Sequence, residues 1–308
     1  MEPARAPLDP FGLTPDTAAY VPRPATERAL EELLTAVRSG PEPVALLGPA
    51  GVGKTLLLHL LAERAGPAFR SIYLPNPKLD PEELCTWVVR GLGAPADEDP
   101  VRLLRAAAAH LREQEQACLL LVDDADALGA ATAAWLGRFA REAGGGLRVA
   151  LAAMDVPSAR RALAAIGATK VVRLDTSMSI DETREYLAWR LRNAGAPAAT
   201  QERIGGANVA DLYRVAGGNP RRLHLAVAAL LRGGHAELVE DDLDQQAARA
   251  ALALAAPPRA PRVAPSPAPD VRPRARNAPS RRGRGALLVA AGLAAVAALF
   301  ALAQLGRG

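Results

Sequence analysis

Residues Pro43 to Arg64 read PVALLGPAGVGKTLLLHLLAER, and this stretch decides the fold. The apolar run Pro43–Leu47 predicts a short buried strand, and the leucine-rich run Thr55–Arg64 predicts a helix. Between them Gly48-Pro49-Ala50-Gly51-Val52-Gly53-Lys54-Thr55 satisfies G-x-x-x-x-G-K-[ST] at every position. Strand, glycine-rich loop and helix in that order suit a phosphate chain. The glycines let backbone N–H groups curl around phosphate oxygens, and the helix aims the positive end of its dipole at them. Lys54 is expected to reach the β- and γ-phosphates, and the Thr55 hydroxyl to ligate Mg²⁺. The expected nucleotide-binding set is Gly48, Pro49, Ala50, Gly51, Val52, Gly53, Lys54, Thr55 and Leu56.

Downstream, Cys118–Val122 is a wholly apolar strand that ends in Asp123 and Asp124. Unpaired charge at a core edge is costly, so two acids there call for a partner. With a phosphate loop upstream, Asp123 is the expected second holder of Mg²⁺. Asp124 is the expected group that orients or deprotonates an attacking water. Asp126 reads as the cap of the next helix.

Around these motifs the pattern alternates. Thr26–Arg38 is an amphipathic helix capped by Thr26, with Ala29, Leu30, Leu33, Leu34 and Val37 on one face. Strands follow at Arg70–Leu74, Cys118–Val122, Leu147–Ala152 and Lys170–Leu174. Helices follow at Pro81–Leu92, Val101–Glu115, Ala130–Ala143 and Ser158–Ala165. Five short strands alternating with helices predict an α/β domain, residues 41–176, with a parallel sheet covered on both faces, preceded by the segment 1–40. From Ile180 only helical periodicity remains: Ile180–Ala194, Thr200–Ala216, Pro220–Leu231 and Val239–Leu254. Residues 177–256 are therefore an all-helical second domain.

Composition restricts the function classes. Half of the 308 residues are hydrophobic, which excludes a wholly disordered chain, and two cysteines exclude a disulfide scaffold. Cys85 and Cys118 read as reduced core thiols, and the four histidines, His59, His110, His224 and His235, have no ligand spacing. The net charge is +4, but residues 257–285 hold eight arginines against Asp270, a net of +7. Residues 286–308 add one arginine, so residues 1–256 carry −4 and a basic nucleic-acid groove is not implied. Proline recurs through 257–285, which reads as an extended, disordered linker. Ala286 to Leu305 then gives twenty residues without charge, enough at about 1.5 Å each to span a hydrocarbon core of about 30 Å. Arg281, Arg282 and Arg284 precede that run and Arg307 alone follows it. The expected topology is a single-pass, tail-anchored protein with residues 1–256 in the cytoplasm.

Phosphate loop, acid-ended strand and a helical domain containing Gly217-Gly218-Asn219-Pro220-Arg221-Arg222-Leu223 together resemble an AAA+ ATPase. More narrowly, Phe11-Gly12-Leu13-Thr14-Pro15-Asp16 with Tyr20, and Ile180-Asp181-Glu182-Thr183-Arg184-Glu185-Tyr186-Leu187 with Arg190-Leu191, are similar to the ExeA/GspA-like ATPases of general secretion and MSHA-type pilus biogenesis. The resemblance implies ATP as substrate with Mg²⁺, a helical lid, a homo-oligomer and envelope secretion or pilus-assembly partners at a bacterial inner membrane. It implies that Lys54, Asp124 and Arg221 carry the chemistry, Arg221 as a sensor arginine reaching the γ-phosphate. A trans-acting arginine is implied too, with Arg160, Arg161 and Arg173 as candidates. Three features depart from that family: Asp124 stands where Glu is usual, Met154 where a polar sensor is usual, and no peptidoglycan-binding domain follows Leu305. The first two suit a nucleotide-dependent switch with weak hydrolysis. A transposition-type DNA regulator shares the core, but the charge of residues 1–256 opposes it.

Overall fold

The computed structural model describes residues 10–93, 99–174, 177–206 and 208–231. In chain order its elements are α1 (Pro24–Ser39), β1 (Val44–Leu47), α2 (Lys54–Arg64), β2 (Phe69–Leu74), α3 (Pro81–Gly91), α4 (Pro100–Glu113) and β3 (Ala117–Val122). They continue with α5 (Ala130–Glu142), β4 (Leu147–Ala153), α6 (Pro157–Ile166), β5 (Lys170–Arg173), α7 (Ile180–Asn193), α8 (Ala198–Gly205), α9 (Val209–Ala216) and α10 (Pro220–Leu231).

The strands pair in parallel in the order β2-β3-β4-β1-β5. Successive side chains on a strand point to opposite faces, and here both faces are buried. On β3, Cys118, Leu120 and Val122 pack with α3, α4, α5 and α6. Leu119 and Leu121 pack on the other face with α1 and α2. That is why the central strands are unbroken apolar runs. At the β5 edge the burial ends: Lys170 and Arg173 are exposed there, and charge on an edge strand discourages pairing with another chain. Each fully enclosed leucine, such as Leu46, Leu58 or Leu120, contributes about 1.5–3 kcal/mol relative to exposure.

Three local expectations are corrected. Thr26 is not the cap of α1, which starts at Pro24 after Arg23 in the capping position. Pro suits a first turn because it has no N–H to leave unpaired; Thr26 instead accepts the Arg23 N–H at 3.2 Å. Thr200–Ala216 is two helices, α8 and α9, because the chain turns at Gly206, φ −95° and ψ −113°. Asp126 caps no helix: it lies in a short 3₁₀ turn, Ala125–Ala127, and Gly129 occupies the capping position of α5. The helix expected over Val239–Leu254, the linker 257–285 and the span Ala286–Leu305 lie outside the described residues. Among the described residues no helix is long and apolar enough to cross a membrane.

Helices α7 to α10 have a core of their own, with Leu187, Leu191, Ile204, Leu212 and Leu223. Phe11 and Val21, from the segment ahead of α1, insert into it. Arg190 Nη1 donates to the Pro10 carbonyl at 3.1 Å, and Arg23 faces Glu182 at 3.9 Å. The N-terminal segment thus ties the helical domain to the sheet domain.

Candidate functional site

The sheet order reverses at β1, which lies between β4 and β5 although β2 comes next in the chain. In open α/β sheets a crevice forms at the carboxyl ends of strands beside such a reversal. The loop Gly48–Gly53 leaves β1 there. Gly48 is required sterically, since a Cβ on it would lie 2.2 Å from the Leu174 carbonyl oxygen at the end of β5. Gly51 and Gly53 have φ +78° and +104°, the left-handed region where a side chain costs about 1–2 kcal/mol. No side chain caps α2, so its first amides remain open to an anion.

Lys54 is 8% exposed, and its Nζ donates to the carbonyls of Gly48 at 2.9 Å and Pro49 at 2.8 Å. The ammonium is held inside the curl of the loop, where phosphate oxygens would take the place of those carbonyls. Burial pushes its pKa below the ordinary lysine value, and the nearby Asp123 carboxylate opposes that shift.

Asp123, at the end of β3 and 5% exposed, is the hub of the site. Its Oδ2 accepts the Thr55 hydroxyl at 2.7 Å and the Tyr73 hydroxyl at 2.8 Å, and its Oδ1 accepts the Asp124 N–H at 3.0 Å. A hydroxyl and a carboxylate in contact, both oxygen donors, suit a hard divalent cation such as Mg²⁺. The residues present therefore fit the metal, and Thr55 and Asp123 would hold it. The next residue, Asp124, has φ 47° and ψ 42°, a left-handed conformation that aspartate tolerates better than most residues. Burial, with Asp123 and Asp126 adding like charge, raises its carboxyl above the usual range, which makes it a better proton acceptor once ionised.

Across the loop stands the start of α10. Asn219 Nδ2 donates to the Ala50 carbonyl at 2.8 Å, and the Arg221 N–H donates to the Gly51 carbonyl at 3.2 Å. The Asn219 Oδ1 accepts the N–H groups of Arg221 and Arg222, at 3.0 and 3.3 Å, and so caps the helix. A Cβ on Gly51 would lie 2.6 Å from Arg221 Cβ. The helical domain is therefore closed down on the phosphate loop, with Arg221 against it.

The structure gathers Lys54, Thr55, Asp123 and Asp124 at the carboxyl ends of β1 and β3, and sets Arg221 against Gly51 of the loop. Met154 lies just beyond β4, 38% exposed, and its N–H donates to Asp126 at 3.2 Å. Asp126 thus joins the β3 and β4 ends rather than capping a helix. Arg160 and Arg173 both pair with Asp155, at 2.7 and 2.8 Å, and hold its carboxyl down at about 2. Arg161 is exposed on α6. Sequence reasoning missed Tyr73 and Asn219. Asn before Pro at the start of an apolar periodic run is a readable capping signal, but nothing near Tyr73 in sequence marks its reach to Asp123. His59, read from sequence as a residue without ligand spacing, has its ring 4.5 Å from the Tyr73 ring.

The family model described as AAA domain matches residues 37–163. Those residues run from the end of α1 to α6 and include Lys54, Thr55, Asp123 and Asp124. Among solved structures, the Aeropyrum pernix ORC2 protein in ADPNP–ADP complexes is similar at 18% identity over 78% of this chain and 71% of that one, with a TM-score of 0.53. Cdc6p from Pyrobaculum aerophilum follows at 21% identity, 78% and 70% coverage and a TM-score of 0.49. RuvB of Thermotoga maritima gives 13%, 71% and 65%, and 0.45. No curated protein matches the sequence. The likeness to ORC2 is one of fold: an α/β phosphate-loop core followed by helices.

Proposed function

We propose that the AAA domain of this chain, with its helical lid, binds ATP with Mg²⁺ and hydrolyses it. The observation that carries this reading is the 2.7 Å contact between Thr55 Oγ1 and Asp123 Oδ2, beside a lysine enclosed by the loop. A bound Mg²⁺ would supply charge neutralisation at the β- and γ-phosphate oxygens. Lys54 would bind the same oxygens, and Arg221 would meet the γ-phosphate from the lid. Asp124 would orient the attacking water and take its proton as the new P–O bond forms and the bond to the β–γ bridging oxygen breaks, leaving ADP and phosphate. Positioning and fixed charge, rather than covalent chemistry, supply the rate.

The test uses two variants. Lys54→Ala should abolish ATP retention, while Asp124→Asn should retain ATP and lose turnover by on the order of 10²-fold or more. Unchanged ATP affinity in Lys54→Ala would refute the loop assignment. A second reading, a nucleotide-dependent switch that hydrolyses weakly, is favoured by Met154, whose thioether is a poor hydrogen-bonding group for a γ-phosphate. It requires wild-type protein that binds ATP without measurable turnover.

The cellular setting belongs to the same proposal. The phrases shared with secretion and pilus ATPases, and the uncharged run Ala286–Leu305, support a cytoplasmic homo-oligomer tethered to a bacterial inner membrane and serving an envelope machine. A DNA-bound role fits less well with the −4 charge of residues 1–256. Cell fractionation checks the tether: full-length protein in the soluble fraction refutes it.

A further inference from the structure

A cavity of about 730 Å³ opens between the edge strand β2 and α3. Ile72, Leu79 and the half-buried ring of Trp87 give it apolar walls. Asp80, Glu82 and Glu83, all exposed, line it against a single arginine, Arg90. Its remaining side is sheet edge. Among the described residues β2 pairs only with β3; the Ala68 and Leu74 carbonyls accept from Ala117 and Asp123. The alternation of a parallel ladder therefore turns the backbone N–H groups of Ser71 and Tyr73 outward, toward the cavity. The Tyr73 carbonyl is already taken by Trp87 Nε1 at 3.1 Å. Ser71 Oγ is enclosed without a hydrogen-bond partner. The cavity thus combines aromatic and aliphatic walls, outward-turned backbone N–H groups and an acidic margin.

The complementary ligand is an extended chain poor in N–H groups, rich in carbonyl acceptors and positively charged. Proline-rich segments have that character: proline lacks the N–H, keeps its carbonyl and holds the chain extended at little entropic cost when it docks on an aromatic wall. Residues 257–285 of this same chain contain eight prolines and eight arginines against one aspartate. We propose that the β2–α3 cavity is the seat of that proline- and arginine-rich segment.

Chain length permits it. Between Leu231 and Pro257 lie 25 residues. Even if Val239–Leu254 is the helix expected from sequence, at about 1.5 Å per residue, and the other nine extend at about 3.3 Å, the reach is about 54 Å. A folded body of this size has a radius of gyration of about 17 Å, or a diameter near 45 Å, so the segment reaches any face. Held on the same chain, it faces the cavity at an effective concentration on the order of millimolar, so a weak individual contact is enough. Arginines spaced along it would meet Glu82 and Glu83 at the margin, and that part of the contact is weakened by salt.

The test places a photo-crosslinking amino acid at Thr86, on the cavity wall, in full-length protein without nucleotide. Equal amounts of isotopically heavy and light chains are mixed before irradiation, and crosslinked peptides are mapped by mass spectrometry. The expected result is a crosslink to residues 257–285 within one chain. It should fall to background in Glu82→Arg, in a chain whose 257–285 is replaced by Gly/Ser of equal length, and at high salt. Glu82 is exposed, so that variant keeps the fold, which circular dichroism verifies. Crosslinks to other parts of the chain, heavy–light crosslinks, no crosslink, or a crosslink indifferent to Glu82→Arg would each overturn the assignment. No nucleotide enters the experiment, so its outcome stands apart from the ATPase reading.

Discussion

Placing a methyl group on Gly51 should separate the helical lid from the phosphate loop. The substitution Gly51→Ala acts twice. At φ +78° an alanine costs about 1–2 kcal/mol in the left-handed region. Its Cβ would also stand 2.6 Å from Arg221 Cβ and 2.8 Å from Asn219 Oδ1. A Cβ cannot swing aside as the tip of a side chain can, so the start of α10 must retreat. Retreat breaks the bonds from Asn219 to Ala50 and from Arg221 to Gly51. At about 0.5–1.5 kcal/mol each, the closed lid loses about 1–3 kcal/mol, or roughly 5- to 150-fold in its docking equilibrium. Gly53→Ala is the internal control. It has φ +104°, so it bears a comparable backbone cost, but no atom lies within 4 Å of its Cβ position. Amide hydrogen exchange without nucleotide is the assay. The Arg221 amide should exchange on the order of 10- to 100-fold faster in Gly51→Ala, with far less change in Gly53→Ala. Equal acceleration in both would show that backbone strain, not lid contact, governs the loop, and no acceleration in either would refute the closed lid.

Tyr73→Phe removes one of two hydroxyls that hold Asp123 Oδ2. The Mg²⁺ concentration for half-maximal nucleotide binding should rise about 5-fold, the equivalent of about 1 kcal/mol, while metal-free nucleotide binding is unchanged; an unchanged Mg²⁺ requirement excludes Tyr73 from positioning the carboxylate. Cys85 and Cys118 are buried, and burial pushes both thiols up to about 12, so neither should react with a thiol reagent at pH 8 until the protein unfolds. Tyr20 is raised to about 12 as well, chiefly by burial. For all three the folded protein favours the neutral form. Their contribution is therefore complete below the unfolded values, about 8.5 for Cys and 10 for Tyr, and is lost as pH rises from there through about 12. Denaturant midpoints measured from pH 8 to pH 11 should fall steadily, and a flat profile would contradict the burial.

What the sequence determined by itself is whatever depends on neighbours along the chain. Gly48 to Thr55 form a phosphate loop because the strand, turn and helix that make one are contiguous. Asp123 and Asp124 were legible because an apolar strand ends at them. The alternation of strands and helices was enough to place the sheet, since a parallel strand buried on both faces is apolar at every position. Boundaries were less legible where a local contact competes with the pattern: Thr26 looks like a cap, yet Pro24 begins α1 and the Thr26 hydroxyl bonds back to Arg23. Only the tertiary structure decided which distant groups complete the site. Tyr73 meets Asp123 across 50 residues because β2 lies beside β3, and Asn219 meets Ala50 across 169 because the helical domain folds back over β1. Neither tyrosine nor asparagine carries a local signal for such a reach. A hydrogen bond needs its partners within about 3 Å, and for groups so far apart in sequence that distance is set by strand order and domain packing rather than by the residues on either side.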